Sequence, residues 1–455
     1  MPNMPKIAFI GAGSVVFTRN LLADILLFPE LRESTISLMD IDPARLDVIH
    51  AVAKCMVREN GLPTQIEATL DRKAALDGAN YVIVMIQVGR EQGFIPDINI
   101  PLKYGLKQSI GDTMGPGGVF RTLRTVPAML EICRDMEKSC PNALLINYSN
   151  PMAMLCWAIN AATSIKNIGL CHSIQGTTAQ LAEYVGVPIE EITCLVAGIN
   201  HMAWFLEFTR QDEDLYPLLR EKLNDPSVYN RDRIRFEVMR HFGHFVSESS
   251  GHFSEYVPYF RRNDALIDRY CTDALGGETA FYLRYASALN DMFEDLAKKT
   301  ASGDGDWALV PSGEYAAATI HSMETGQRCT IHGNVANKGY ITNLPEACCV
   351  EVPCHVDDKG IHPDFIGDLP QQLAALNLTN INVQDLAVRA ALEQNRELAF
   401  HAIALDPLTS AVLSLDEIRR MVEDLIEAEK EFIPKLVKGR GAIFTKITPE
   451  LKTVS

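Results

Sequence analysis

The sequence has no paired cysteine spacing. Its 11 cysteines are scattered over 455 residues without a CxxC, and the tightest group is Cys348, Cys349 and Cys354. Such usage fits a reducing compartment with free thiols. No apolar run approaches the ~18 residues a membrane span needs. The opening Met-Pro-Asn-Met-Pro-Lys runs straight into an apolar strand without the pattern of a signal peptide. The expectation is a cytoplasmic protein with no membrane partner. Positive charge is also scarce: 42 Lys and Arg stand against 58 Asp and Glu, a net charge of -16. With no basic helix or basic patch, nucleic acid and anionic lipid are excluded as general partners. No internal repeat or low-complexity tract is present.

What is present suits a large α/β core. At 47% hydrophobic, the chain can bury two or three domains. Apolar strands at Lys6–Ile10, Thr35–Met39, Tyr81–Ile86, Leu144–Tyr148 and Asn167–Cys171 alternate with helical stretches, among them Thr18–Phe28 and Pro43–Asn60. That alternation predicts a Rossmann-like, doubly wound parallel sheet. From about Cys194 the pattern changes to mixed α+β. Leu195–Arg210 reads as one long strand, Arg231–Phe242 and Glu278–Lys299 as helices, and His332-Gly333-Asn334 as part of a turn-rich stretch. Ser414 and Glu417 have capping-box spacing before an amphipathic helix over Leu415–Phe432, with Pro434 beyond it. The expected division is residues 1–195 for nucleotide binding and 196–455 for substrate, metal and oligomer contacts.

Ligands of such sheets sit beyond the carboxyl ends of the strands, and three segments there carry chemistry. Gly11 and Gly13, followed by Ser14, form a glycine turn between the first strand and a helix. Gly11 allows the tight turn, and Gly13 lets the backbone approach a pyrophosphate at the helix N-terminus. The full GxGxxG is not met, because Val16 holds the last position. Asp40 ends the second strand, where a carboxylate binds ribose hydroxyls and repels a 2′-phosphate, so NAD is expected over NADP. Cys171 ends a later strand, and His201 lies thirty residues on. A thiolate and an imidazole can hold a divalent ion and leave coordination positions open. Spacing alone leaves a buried cysteine and core histidines as an equal reading. Asn150 is a candidate for sugar hydroxyls or an N-cap before Pro151. Asp112–Gly118 reads as a loop that closes over the site or as a plain surface turn.

Taken together, KIAFIGAGS, LMDID, DTMGPGG, NYSNPM, GLCHSIQGT and GINHMAW resemble glycoside hydrolase family four. The likeness extends to NLPEACCVEV and TNINVQ in the C-terminal half. The Cys-His-Ser segment is similar to that of the bacterial α-galactosidases, or melibiases. The resemblance implies a Rossmann-like domain followed by a lactate/malate-dehydrogenase-like one, and a homo-oligomer, dimer or tetramer. It also implies an NAD-dependent hydrolysis outside the usual two-carboxylate scheme. The sugar C3 hydroxyl is oxidised, the C2 proton is removed, the aglycone is eliminated, water adds, and the ketone is reduced again. A divalent metal, usually Mn2+, binds the C2 and C3 oxygens.

Carried over by motif, Cys171 and His201 match the metal ligands and Asn150 the substrate-binding asparagine. His172 stands where another branch has a general acid, its rival role being a histidine that orients the metal site. Tyr256 is the choice for the C2 base, with Glu248 as runner-up. An α-glucuronidase or α-galacturonidase of the same family is the main rival activity, with Arg90 as a cation for a uronate carboxylate. Two readings lie outside the family. A 2-hydroxy-acid dehydrogenase needs an Arg clamp rather than a Cys ligand, and a non-catalytic NAD sensor binds the cofactor without turnover. No double-Arg clamp favours 6-phospho-sugars.

Overall fold

The computed structural model describes residues 4–437 apart from 273 and 275. The expected region 196–455 thus extends beyond the described residues. Six parallel strands come first in the chain: Lys6–Ile10 (β1), Thr35–Met39 (β2), Gln65–Thr69 (β3), Tyr81–Val84 (β4), Leu144–Asn147 (β5) and Asn167–Leu170 (β6). Their order in space is β3-β2-β1-β4-β5-β6, the dinucleotide-binding order with the switch point between β1 and β4. β4 and β5 are buried at every residue, which is why they read as unbroken apolar runs. β3 is the edge strand, Gln-Ile-Glu-Ala-Thr, and is largely solvent-facing. It lacks that apolar signal, so its sequence does not announce a strand.

The sheet does not end at the expected boundary. Ile192–Ile199 (β7), Met202–Arg210 (β8), Glu213–Asp214 (β9), Cys329–Ala336 (β10), Cys349–Asp357 (β11) and Gly360–Pro363 (β12) extend it in the order β6-β10-β11-β7-β8-β9, and β12 pairs with β11. The pairings beyond β6 are antiparallel. So the second half is mixed α+β, as expected, but it shares one sheet with the first.

Two local expectations are corrected. Leu195–Arg210 is a hairpin of β7 and β8, turned at Asn200-His201, with His201 in the left-handed region at φ 63°. Apolar residues flank the turn on both sides, which hides it in the sequence. His332-Gly333-Asn334 lies inside β10 rather than in a turn. Gly333 is there for space: a Cβ would meet Ile168 Cδ1 at 2.6 Å and Cys354 Sγ at 3.1 Å.

The helices Val15–Leu27 and Pro43–Glu59 flank the nucleotide end. Leu415–Glu429 opens on the expected capping box, with Glu417 Oε2 accepting from Ser414 N at 2.8 Å and Ser414 Oγ accepting from Glu417 N at 3.4 Å. Asp112–Gly118 is neither surface turn nor open loop. It is buried throughout, and the 25-residue helix Gly115–Ser139 starts within it. The glycines there serve close packing: a Cβ on Gly117 would meet Gly111 O at 2.0 Å. The hairpin is anchored by Trp204, fully buried, whose Nε1 donates to Asn377 Oδ1 at 2.8 Å, while Asn377 Nδ2 donates to Met202 O at 2.8 Å.

Candidate active site

The glycine turn forms as the sequence suggests. Gly11 N and Ala12 N both donate to Met39 O at 2.9 Å, binding the turn to the end of β2. Gly11 has φ +85°, and a Cβ on it would meet Met85 O at 2.8 Å. Asp40 accepts from Gly13 N at 2.7 Å through Oδ2 and from Asp42 N at 2.9 Å through Oδ1. Each carboxylate oxygen keeps a lone pair for a ribose hydroxyl. Ser14 is the N-cap of Val15–Leu27, with no side-chain cap bond, so the first N–H groups of that helix are not claimed by a cap. The N–H groups of Gly11, Ala12, Gly13 and Ser14 are all engaged within the protein, so the turn gives the shape, and the uncapped first N–H groups of the helix give the donors, that a dinucleotide pyrophosphate needs. Arg90 lies at this end: its Nη1 pairs with Asp42 Oδ2 at 2.8 Å.

The carboxyl end of β6 and the β7–β8 turn bring the two candidate ligands into contact. Cys171 Sγ is 3.4 Å from His201 Nε2. Burial pushes the Cys171 thiol up to about 12, and the Glu351 and Glu248 carboxylates add to the effect. A cation at the sulfur reverses that balance, since a coordinating thiol gives up its proton. The pair is a soft donor and an imidazole on fixed strand ends, and it suits a divalent ion. Among the described residues no group of three or more His, Cys, Asp or Glu could hold a metal. Two protein ligands leave positions open, as a metal that binds substrate requires.

Behind the pair lies a buried polar shell. His201 Nδ1 is 3.0 Å from the Tyr256 hydroxyl, a contact that sets the imidazole's tautomer and aim. Tyr256 is fully buried, and burial raises its phenol well above the usual value, with Glu248, Asp112 and Glu255 acting in the same direction. Glu248 Oε2 is 3.5 Å from His201 Nε2. Burial opposes its ionisation, yet His201, His252 and the Ser249 hydrogen bonds hold it below its usual value. His172 is different. Its side chain is 68% exposed, and its Nδ1 is 3.7 Å from Glu314 Oε1. Asn150 stands half-buried after β5. The N-cap reading of Asn150 does not hold, because the helix Met152–Ala162 is capped at Pro151.

The structure adds groups that sequence reasoning did not assign. The His252 and His201 rings meet edge to face with centroids 4.9 Å apart. His252 Nδ1 is 3.0 Å from Glu255 Oε2, and its Nε2 is 3.8 Å from Asp112 Oδ1. Glu255 also accepts from the backbone N–H groups of Ser109, Ile110 and Gly111, and Asp112 pairs with Arg121 at 3.0 Å. His252, Glu255 and Tyr256 are spaced i, i+3, i+4, the sequence spacing of one helical face, although the helix itself, Ser250–Phe253, holds only His252. That spacing was the available signal. Glu351 is fully buried; burial pushes its carboxyl up to about 7, against the lowering effects of His201, Asn334 and Asn200.

Residues 6–187 match the family 4 glycosyl hydrolases, and residues 196–409 match the family 4 glycosyl hydrolase C-terminal domain. The chain is a family 4 glycosyl hydrolase. It is 42% identical to an α-galactosidase of Bacillus subtilis (strain 168), over 95% of this chain and 100% of that protein. It is 36% identical to an α-galactosidase of Rhizobium meliloti (strain 1021), over 94% of this chain and 89% of the other. A 6-phospho-α-glucosidase from gut microorganisms, solved in complex with NAD and Mn2+, superposes with a TM-score of 0.79 at 21% identity, over 96% of this chain and 100% of that one. At that identity the likeness speaks for the fold. As a family 4 hydrolase, the chain is a glycosidase, and the plain dehydrogenase reading falls away. No helix among the described residues is long and apolar enough to cross a membrane.

Proposed function

We propose that this family 4 hydrolase is a cytoplasmic α-galactosidase acting on melibiose-type α-galactosides, with NAD and a divalent metal, Mn2+ first, as cofactors. The observation that carries the reading is the Cys171–His201 contact at 3.4 Å, in a chain whose glycine turn suits a dinucleotide. The 42% and 36% identical relatives, both α-galactosidases, support the sugar. When bound, NAD supplies a hydride acceptor for the sugar C3, and the metal supplies positive charge for the developing C2–C3 oxyanion.

The chain's own residues do the rest. Gly11, Gly13 and Ser14 seat the pyrophosphate and Asp40 the adenine ribose. Cys171 and His201 hold the metal, and Asn150 binds sugar hydroxyls from the end of β5. Tyr256 takes the C2 proton. Its hydroxyl is already in the His201 contact at 3.0 Å, and a nearby cation is what lowers a buried phenol toward use as a base. His172, on the solvent side of Cys171, protonates the leaving oxygen, with Glu314 beside it. A second reading, with Glu248 as the base, is favoured by its carboxyl lying below the usual value. A galactoside suits the site better than a uronide. Arg90 is committed to Asp42 and Arg121 to Asp112, so neither presents a free charge to a substrate carboxylate. In this division of labour residues 1–195 carry the nucleotide together with Asn150, Cys171 and His172, and residues 196–455 add His201 and Tyr256. The exposed Tyr285 and Met292 on the helix Phe281–Ser302 support assembly as a dimer or tetramer, which light scattering checks.

Hydrolysis of an aryl α-galactoside, with and without NAD and Mn2+ under reducing conditions, beside the α-glucoside and α-glucuronide, tests the reading. Release that needs both additions and favours the galactoside is expected. Preference for the glucuronide moves the sugar assignment, and cleavage without NAD ends the mechanism.

A further inference from the structure

One row of residues crosses the sheet between the strands that carry the two proposed ligands. It runs Gly169 on β6, Asn334 on β10, Glu351 on β11 and Gly198 on β7. Gly169 lies two positions before Cys171, and Gly198 three before His201. Both glycines are enforced by space. A Cβ on Gly169 would meet Met152 Sδ at 2.4 Å, and one on Gly198 would meet Met202 O at 2.5 Å. The row's two side chains are joined: Asn334 Nδ2 donates to Glu351 Oε1 at 3.1 Å and reaches Gly169 O at 3.4 Å. Asn334 and Glu351 both have 0% exposure.

Glu351 has no Lys or Arg partner in any ion pair among the described residues. The charged and titratable groups that act on it or feel it are His201 and Glu248 from the β7–β8 side, Cys171 after β6, Cys349 and Cys354 on β11 itself, and Tyr315. A carboxylate buried without a cation is costly, and it persists where something else compensates it. The neighbours of Glu351 along β11, Cys349, Val350 and Val352, are apolar and fully buried, so packing alone gives no reason for a carboxylate here. The place of the row, between and beneath Cys171 and His201, does.

We propose that Glu351 is a positioning residue for the metal. Held by Asn334, it braces the strands that carry Cys171 and His201 and supplies the negative charge that a divalent ion on that pair neutralises. This rests on the reading of Cys171 and His201 as metal ligands, and the test separates the two.

The full-length protein is stripped with a chelator and titrated with Mn2+ alone, free ion being read by electron paramagnetic resonance. NAD binding and the melting temperature of the metal-free protein serve as structural controls. Wild type is expected to bind and Cys171→Ser to lose binding. Glu351→Gln, equal in size but uncharged, is expected to weaken Mn2+ binding about 10- to 100-fold, with NAD binding unchanged and the metal-free melting temperature unchanged or raised. Glu351→Asp, which keeps the charge, is expected to recover part of the loss. Mn2+ affinity unchanged in Glu351→Gln, or Asp no better than Gln, overturns the proposal while the ligand reading stands. Binding unaffected by Cys171→Ser overturns both. Should Glu351→Gln fail to fold, Asn334→Ser releases Oε1 and leaves the charge. An affinity loss of about tenfold is then expected, and an unchanged affinity overturns the proposal.

Discussion

Single residues carry the sharpest tests because the site is built from atoms already in contact. A Cβ on Gly13 would meet both Asp40 Oδ2 and Arg45 Cβ at 2.8 Å, in a turn where Gly13 N already bonds Asp40 at 2.7 Å. Gly13→Ala should therefore force the turn and the ribose carboxylate apart. NAD affinity by calorimetry is expected to fall about tenfold or more, equivalent to about 1.4 kcal/mol, with Mn2+ affinity unchanged. An unaltered NAD affinity would remove this turn from the nucleotide site. Tyr256→Phe deletes one oxygen and the contact with His201. If Tyr256 is the base, kcat should drop about 10²- to 10⁴-fold, and exchange of a C2 deuterium label with solvent should slow in proportion. A fall confined to Glu248→Gln would pass the role to Glu248. At this scale the sequence was informative: glycines, a cysteine and a histidine have few reasons to stand at strand ends. His252, Glu255, Asp112 and Glu351 were harder to see. His252 and Glu255 are only three residues apart, but Asp112 and Glu351 come from distant parts of the chain, and only folding gathers all four around His201.

Elements show where local signals compete. The capping box of Leu415–Glu429 and the buried strands β4 and β5 declare themselves in a few residues. Arg90–Lys103, with Pro96 and Pro101 inside it, and Gly115–Ser139, opening on Gly-Pro-Gly-Gly, do not. Their helicity is held by tertiary contacts that override local propensity. One of these is a buried charge group: Arg124 Nη2 pairs with Asp97 Oδ2 at 2.5 Å and Nη1 with Glu429 Oε2 at 2.8 Å, joining the three helices. Two carboxylates share one guanidinium out of water. Burial, followed by the Asp97 charge, pushes the Glu429 carboxyl up to about 10. A raised carboxyl pKa means that the folded state holds a proton the unfolded state has released. This contribution is present in full below about pH 4.3 and is lost as pH rises toward 10. Glu429→Gln keeps a donor for Asp97 and removes that proton requirement. The variant is expected to melt about 2 °C or more above wild type at pH 8, with little difference near pH 4.5, by calorimetry. Equal melting temperatures at both pH values would show that the shared proton has no such role.

At the scale of the whole molecule, what was legible was the pair of architectures, and what was not was their union. Strand–helix alternation identifies five of the six parallel strands, all but the edge strand β3, and the loss of that alternation near Cys194 marks a change of pattern. That β10 returns to β6, pairing Asn334 with Gly169 and Gly333 with Leu170, is a contact across about 165 residues, with no local signal. This one sheet has a consequence for stability. The nucleotide turn and the Cys171–His201 pair sit on the same hydrogen-bonded frame, so a ligand at either should stabilise both halves. A ligand present at 100 times its Kd adds about 2.7 kcal/mol to the folded state. NAD and Mn2+, added singly to chelator-treated protein, should each raise one and the same calorimetric transition, and together raise it further. Cys171→Ser should keep the NAD increment and lose that from Mn2+. Two separate transitions, with NAD moving one and Mn2+ the other, would mean that the shared sheet does not couple the halves, and that residues 1–195 and 196–455 unfold as independent units.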